Sequence, residues 1–155
     1  MKNEFYEFLI EAKKQTYANE NIEKKESSRI GSNDYEYSNE KYIYHDTYFG
    51  GTKFMGEEVI YSKDKTPIWG MNYYGVTLDD KLSEEAMDKA LRPALMKVGE
   101  DEIIPVRGPK KFVNGEYRYT FEVVGNLEYF EGIETIYKGE EKVYVLKCNG
   151  GVIKK

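Results

Sequence analysis

Two stretches of this chain, 75 residues apart, carry the same alternation of large side chains, and that repeat restricts the fold more than any other feature. YIYHDTYFG at 42–50 corresponds to YRYTFEVVG at 117–125: Tyr42 and Tyr44 match Tyr117 and Tyr119, and Gly50 matches Gly125. Phe54 and Met55 match Tyr129 and Phe130. After one added residue, Glu58, Ile60 and Tyr61 match Glu134, Ile136 and Tyr137. A shorter turn then restores the spacing, so Trp69, Met71 and Gly75 match Tyr144, Leu146 and Gly150. A period of two puts successive side chains on opposite faces of a strand. The pattern predicts four strands in each half, with hairpins at Asn114-Gly115 and Lys138-Gly139-Glu140.

A helix precedes each set of strands. Phe5, Phe8, Leu9, Ala12 and Thr16 follow helical spacing, which predicts an amphipathic helix over 3–17 capped by Asn3. Ser83 caps a second helix, whose stripe is Ala86, Met87, Ala90, Leu91, Ala94, Leu95 and Val98. Pro93 is expected to kink it, and Gly99 to end it. The expected fold is α+β: a single domain over 1–155 made of two αββββ units, approximately 3–75 and 83–151. The units would be related by pseudo-twofold symmetry, with both helices on one face of a curved antiparallel sheet.

The register of the alternation assigns the faces. Tyr117, Tyr119, Phe121 and Val123 oppose Arg118, Thr120 and Glu122, so the aromatic side is inward. By correspondence Tyr42, Tyr44, Asp46 and Tyr48 point inward, as do Trp69, Met71 and Tyr73 of the WGMNYYG string. Asp46 then stands where the second half has Phe121, and a buried carboxylate costs several kcal/mol unless it is paired or hydrogen-bonded. The chain has 15 Tyr against 7 Phe, and a buried Tyr needs a partner for its hydroxyl. Two readings follow: a core in which tyrosines satisfy Asp46, or a ligand pocket. In the second reading Asp46, Tyr44, Tyr48, Trp69 and Tyr73 bind a cationic or aromatic small molecule. Arg29, from the polar segment 18–33, would donate over the pocket mouth. That segment, ANENIEKKESSRIGSN, otherwise reads as a solvated, mobile loop.

Other chemistry finds little support. His45 and Asp46 are adjacent on a strand, so they diverge and form no dyad. One His and one Cys argue against a zinc site. Glu58 recurs as Glu134, which points to the shared scaffold. There is no phosphate loop, nucleophile elbow or dinucleotide fingerprint. No catalytic residue, metal or cofactor is assigned. A net charge of −5 disfavours direct nucleic-acid binding. The lone Cys148 excludes an intramolecular disulfide and fits a cytoplasmic setting, where it serves as a small strand residue. Glu4, Glu7 and Glu11 interrupt the first apolar stretch, so no membrane segment is expected there.

The order TYA, SSRIGSND, YFGGTKFMGEE, WGMNYYG and NGGVIK resembles a family of uncharacterised bacterial proteins. In that family the domain also occurs C-terminal to helix-turn-helix (XRE-type) regulators. The family pattern has Ser-Arg-Pro-Gly-Ser-His-Asp where this chain has residues 28–34, and often His-Gly-Gly where it has Asn149-Gly150-Gly151. The resemblance implies a sensor or assembly domain. The leading expectation is a non-enzymatic small-molecule-binding or sensory domain. An oligomerisation or protein-interaction module comes second and an enzyme third.

Overall fold

A computed structural model of the protein describes residues 4–155, so the expected cap at Asn3 lies outside the described residues. Helix α1 (Glu4–Lys14) leads through a long segment into β1 (Asn33–Ser38), β2 (Tyr42–Gly50), β3 (Lys53–Ser62) and β4 (Pro67–Thr77). Helix α2 (Glu84–Leu95) precedes β5 (Lys111–Asn114), β6 (Tyr117–Asn126), β7 (Tyr129–Lys138) and β8 (Glu141–Val152). All eight strands form one open antiparallel sheet in the order β1-β2-β3-β4-β8-β7-β6-β5. Two meanders thus meet at the β4–β8 pair, where Tyr73 opposes Cys148.

The helices are shorter than their apolar stripes. Beyond Lys14 the chain runs on in a turn, with the Thr16 hydroxyl donating to the Ala12 carbonyl. In α2 the Ser83 side chain caps the Ala86 amide, as expected. Pro93 lies inside the helix, which ends two residues later at Leu95. Proline has no N–H for the carbonyl four residues back. That carbonyl, of Lys89, instead accepts from the Asn114 side chain at 3.3 Å, which ties α2 to the end of β5. The following turn ends at Gly99, whose φ is +79°.

The inward faces behave as the alternation requires. Tyr44, Trp69, Met71, Tyr119, Phe121, Tyr144 and Leu146 are buried against Phe8 and Leu9 of α1 and Met87, Ala90 and Leu91 of α2. Gly50 and Gly125 lie at the ends of β2 and β6 with φ of +95° and +97°. A Cβ at either would lie 2.2 Å from a carbonyl oxygen, of Lys53 and Tyr129 respectively. Both positions therefore demand glycine on conformational and steric grounds.

Candidate functional site

Three carboxylates enter the core between the helices and the sheet. Glu58 accepts from the Lys13 ammonium at 2.6 Å and from the Tyr44 hydroxyl at 2.6 Å. Glu134 accepts a two-pronged bond from Arg107 at 2.7 and 2.9 Å, and the hydroxyls of Tyr119 at 2.5 Å and Tyr144 at 2.9 Å. Tyr119 in turn accepts from the Gly108 amide. Asp46, 4 % exposed, accepts from the Tyr73 hydroxyl at 2.6 Å. Burial, then the adjoining carboxylates, raises Tyr44, Tyr73, Tyr119 and Tyr144 well above the ordinary tyrosine range. Their hydroxyls therefore stay protonated and act as donors.

Glu58 of β3 thus bonds Tyr44 of β2, and Glu134 of β7 bonds Tyr119 of β6. Burial pushes the Cys148 thiol up to about 12, so it remains a packed thiol.

Of the expected pocket residues, the structure brings Asp46 together with Tyr73, Tyr48 and Tyr44. Asp46, Tyr48 and Tyr73 border a cavity of about 40 Å³ beneath α2. Asp46 and Tyr44 border a second of about 20 Å³ beside Lys13. These volumes suit one or two waters. Trp69 borders neither: it stacks on Phe130 at 5.8 Å, meets Phe5 edge-on and donates to the Leu127 carbonyl at 2.9 Å. Arg29 lies on the opposite face of the sheet, where it pairs with Glu57.

That opposite face, free of helices, holds a groove of about 990 Å³. Its floor is two cross-strand rows, spaced as neighbouring strands are, by roughly 4.8 Å per step. One row is Phe49, Met55, Tyr74, Lys147 and Ile133. The next is Thr47, Glu57, Asn72, Asn149 and Glu131, with the Asn72 amide donating to Asn149 at 3.4 Å. The first row is mostly apolar, broken by Lys147 and ending at Glu122, and the second is polar until it reaches Val124. Met55, Tyr74, Val124 and Ile133 are exposed there.

The loop that delivers Arg29 is exposed over residues 20–31, in keeping with its polar composition, and its C-terminal part is hydrogen-bonded to the sheet. Its anchor is Asp34, completely buried. Asp34 accepts from the Ser28 amide and hydroxyl at 3.1 and 2.6 Å and from the hydroxyls of Ser32 at 2.5 Å and Thr47 at 2.8 Å. It also meets His45 Nε2 at 2.6 Å. The Lys25 amide closes the loop on the Asp34 carbonyl. At the C-terminal end of this solvent-exposed segment, Ser28 and Ser32 bond to one buried carboxylate. Ser28-x-x-x-Ser32-x-Asp34 was the available sequence signal.

Burial works against ionising Asp34, but the donors of Ser28, Ser32, Thr47 and His45 outweigh it and hold the carboxyl well below the usual range. A depressed folded-state pKa gives stability that is present above the unfolded value, about 4, and lost as pH falls below it. Asp34→Asn is therefore expected to cost about 1–3 kcal/mol at pH 7 and progressively less in acid. Urea unfolding of both proteins at about pH 7 and pH 3 measures this; an equal cost at both would refute it.

Among the described residues no helix is long and apolar enough to cross a membrane, and no group of three or more His, Cys, Asp or Glu is placed to hold a metal ion. The family described as Domain of unknown function (DUF5680) matches residues 46–153. The match runs from Asp46 in β2 past the end of β8. It includes Arg107 and the groove floor, but not Lys13, Arg29 or Asp34. No curated protein and no solved structure matches the chain.

Proposed function

The chain belongs to the DUF5680 family, and we propose that it is a non-enzymatic small-molecule-binding domain whose ligand lies in the groove on the helix-free face. The observation that carries this reading is the groove itself. At about 990 Å³ it has the size of a ligand site, and it sets Phe49, Met55 and Tyr74 beside Glu57, Asn72 and Glu131. A flat amphiphile with a cationic group fits that arrangement. Its ring would lie on Tyr74 and Met55, and its ammonium would meet Glu131 or displace Arg29 from Glu57. The interior serves this site as scaffold: Glu58 and Glu134 hold cations of this chain, and Asp46 is the inward carboxylate of a tyrosine cluster.

The sequence likeness to domains that follow helix-turn-helix regulators favours a sensory use. A single domain of two repeated units fits the meeting of two meanders at β4 and β8, and the lone cysteine suits the cytoplasm.

Tryptamine and phenethylamine are suitable probes. Amide chemical-shift titration should show saturable shifts centred on residues 55, 72, 74 and 147. Tyr74→Ala should weaken binding by about 2–30-fold, the worth of one aromatic contact with a cation. Shifts confined to residues lining the Asp46 cavities would move the site indoors. No saturable shift with any cationic aromatic would overturn the small-molecule reading. The exposed Met55, Tyr74, Val124 and Ile133 would then favour a protein-interaction module on the same face.

A further inference from the structure

Among the described residues the interior does not balance its charges. Between the helices and the sheet lie the buried carboxylates of Asp46, Glu58 and Glu134, against the buried cations Lys13 and Arg107. Each cation is committed: Lys13 to Glu58 at 2.6 Å and Arg107 to Glu134 at 2.7 Å. Asp46 is the carboxylate left over, and a hydroxyl, not a cation, meets it. An unbalanced charge in a low-dielectric interior either takes up a proton or brings in water.

We propose that Asp46 is a proton-operated latch beneath α2: protonated, it leaves the interior charge-balanced and α2 seated on the sheet; ionised, it draws water into the seam between them. The seam already exists as the 40 Å³ cavity, which Asp46 and Tyr73 border from the sheet and Met87 and Leu91 from α2. It has room for the first water and little more. Tyr73 donates to Asp46 from the central strand, so a proton on the carboxyl must sit on, or bond away from, an oxygen that Tyr73 does not occupy.

The surroundings oppose ionisation from most sides. On β3, Glu58 repels a charge on Asp46; on β7, Glu134 is neutralised by Arg107. From β1, β2 and β8 come Tyr35, Tyr44, Tyr48 and Tyr144, all neutral because burial raises each of them. Cys148 of β8 is likewise a neutral thiol. From α1, Lys13 attracts, but across its own bond to Glu58. On the α2 side, Glu84 and Asp88 border the cavity and Arg92 sits over the Tyr17 ring, whose hydroxyl bonds Asp88. Burial first, and Glu58 second, push the Asp46 carboxyl up to about 7, against the Tyr73 hydrogen bond and the attraction of Lys13 and of Arg107, which borders both cavities.

The sign follows. A raised folded-state pKa means that the stability linked to the proton is fully present below the unfolded value, about 4, and is lost as pH rises through about 7. In the wild type, carbon-detected NMR of the side-chain carboxyls should show one aspartate titrating near neutrality. Asp46→Asn should remove that titration. Hydrogen exchange, corrected for the intrinsic pH effect, should show protection of the α2 amides falling severalfold between about pH 6 and pH 8. The asparagine variant should show equal protection at both. If that variant does not fold, Tyr73→Phe provides the second reading: deleting the donor should move the Asp46 midpoint upward. The proposal is overturned by an Asp46 midpoint below about 5, by α2 protection that is flat with pH in the wild type, or by a midpoint that Tyr73→Phe leaves in place.

Discussion

Arg107→Ala should cost about 3–5 kcal/mol of unfolding free energy, the usual penalty for stripping one partner from a buried ion pair. Glu134 would keep its two tyrosine donors but lose both guanidinium bonds in a place with no exposure to water. A domain of this kind has about 5–15 kcal/mol in total, so the variant should be close to unfolded at 37 °C. Urea unfolding at 25 °C measures the loss. Most of the penalty comes from the stranded charge, so Arg107→Met combined with Glu134→Gln should recover a large part of it. The two hydroxyls bond different oxygens of Glu134, so the glutamine accepts one on its carbonyl oxygen, donates its amide to the other, and carries no charge. A cost under about 1 kcal/mol for the single variant would mean that water reaches Glu134 and that the pair is worth little, as exposed pairs are.

Trp69→Ala should cost a comparable amount, about 3–5 kcal/mol. The indole is almost fully buried and packs on Phe130 and Phe5, and its N–H has a carbonyl partner at Leu127. Truncation removes that packing and leaves the Leu127 carbonyl without its donor. The same experiment distinguishes two roles for the residue. As core, Trp69 affects stability and leaves probe binding per folded molecule unchanged. As part of a ligand box, its loss should weaken tryptamine binding in a fully folded sample. Phe130 stacks on the ring from the other half of the chain, so Trp69→Phe should recover much of the stability.

Much of the framework can be read from residue order alone. The alternation through Tyr42–Tyr48 and Tyr117–Val123, the Asn-Gly and Lys-Gly-Glu turns and the two apolar stripes predict eight strands and two helices, and which side of each strand is buried. The inward position of Asp46 is legible in the same way, because face is a property of parity along a strand. So is the opposed placement of Glu57 and Glu58, one on the groove and one in the core.

Pairing between distant groups is not local, and there the sequence is silent. Arg107 sits in an aperiodic stretch, and nothing around it reveals that it will meet Glu134, 27 residues away. Lys13 falls on the buried side of α1, yet a lysine there reads as a chain reaching outward to water; only the docking of α1 over β3 turns it toward Glu58. Trp69, Asp46 and Arg29 look alike as pocket candidates until the sheet assigns Trp69 to the core and Arg29 to the other face. The groove is likewise a product of register. Strand pairing brings Glu57, Asn72, Asn149 and Glu131 into one row and Met55, Tyr74 and Ile133 into the next. Periodicity along the chain determined which residues are inside. The tertiary fold decided which of them meet, because burial depends on one strand's alternation while a contact depends on the register of two.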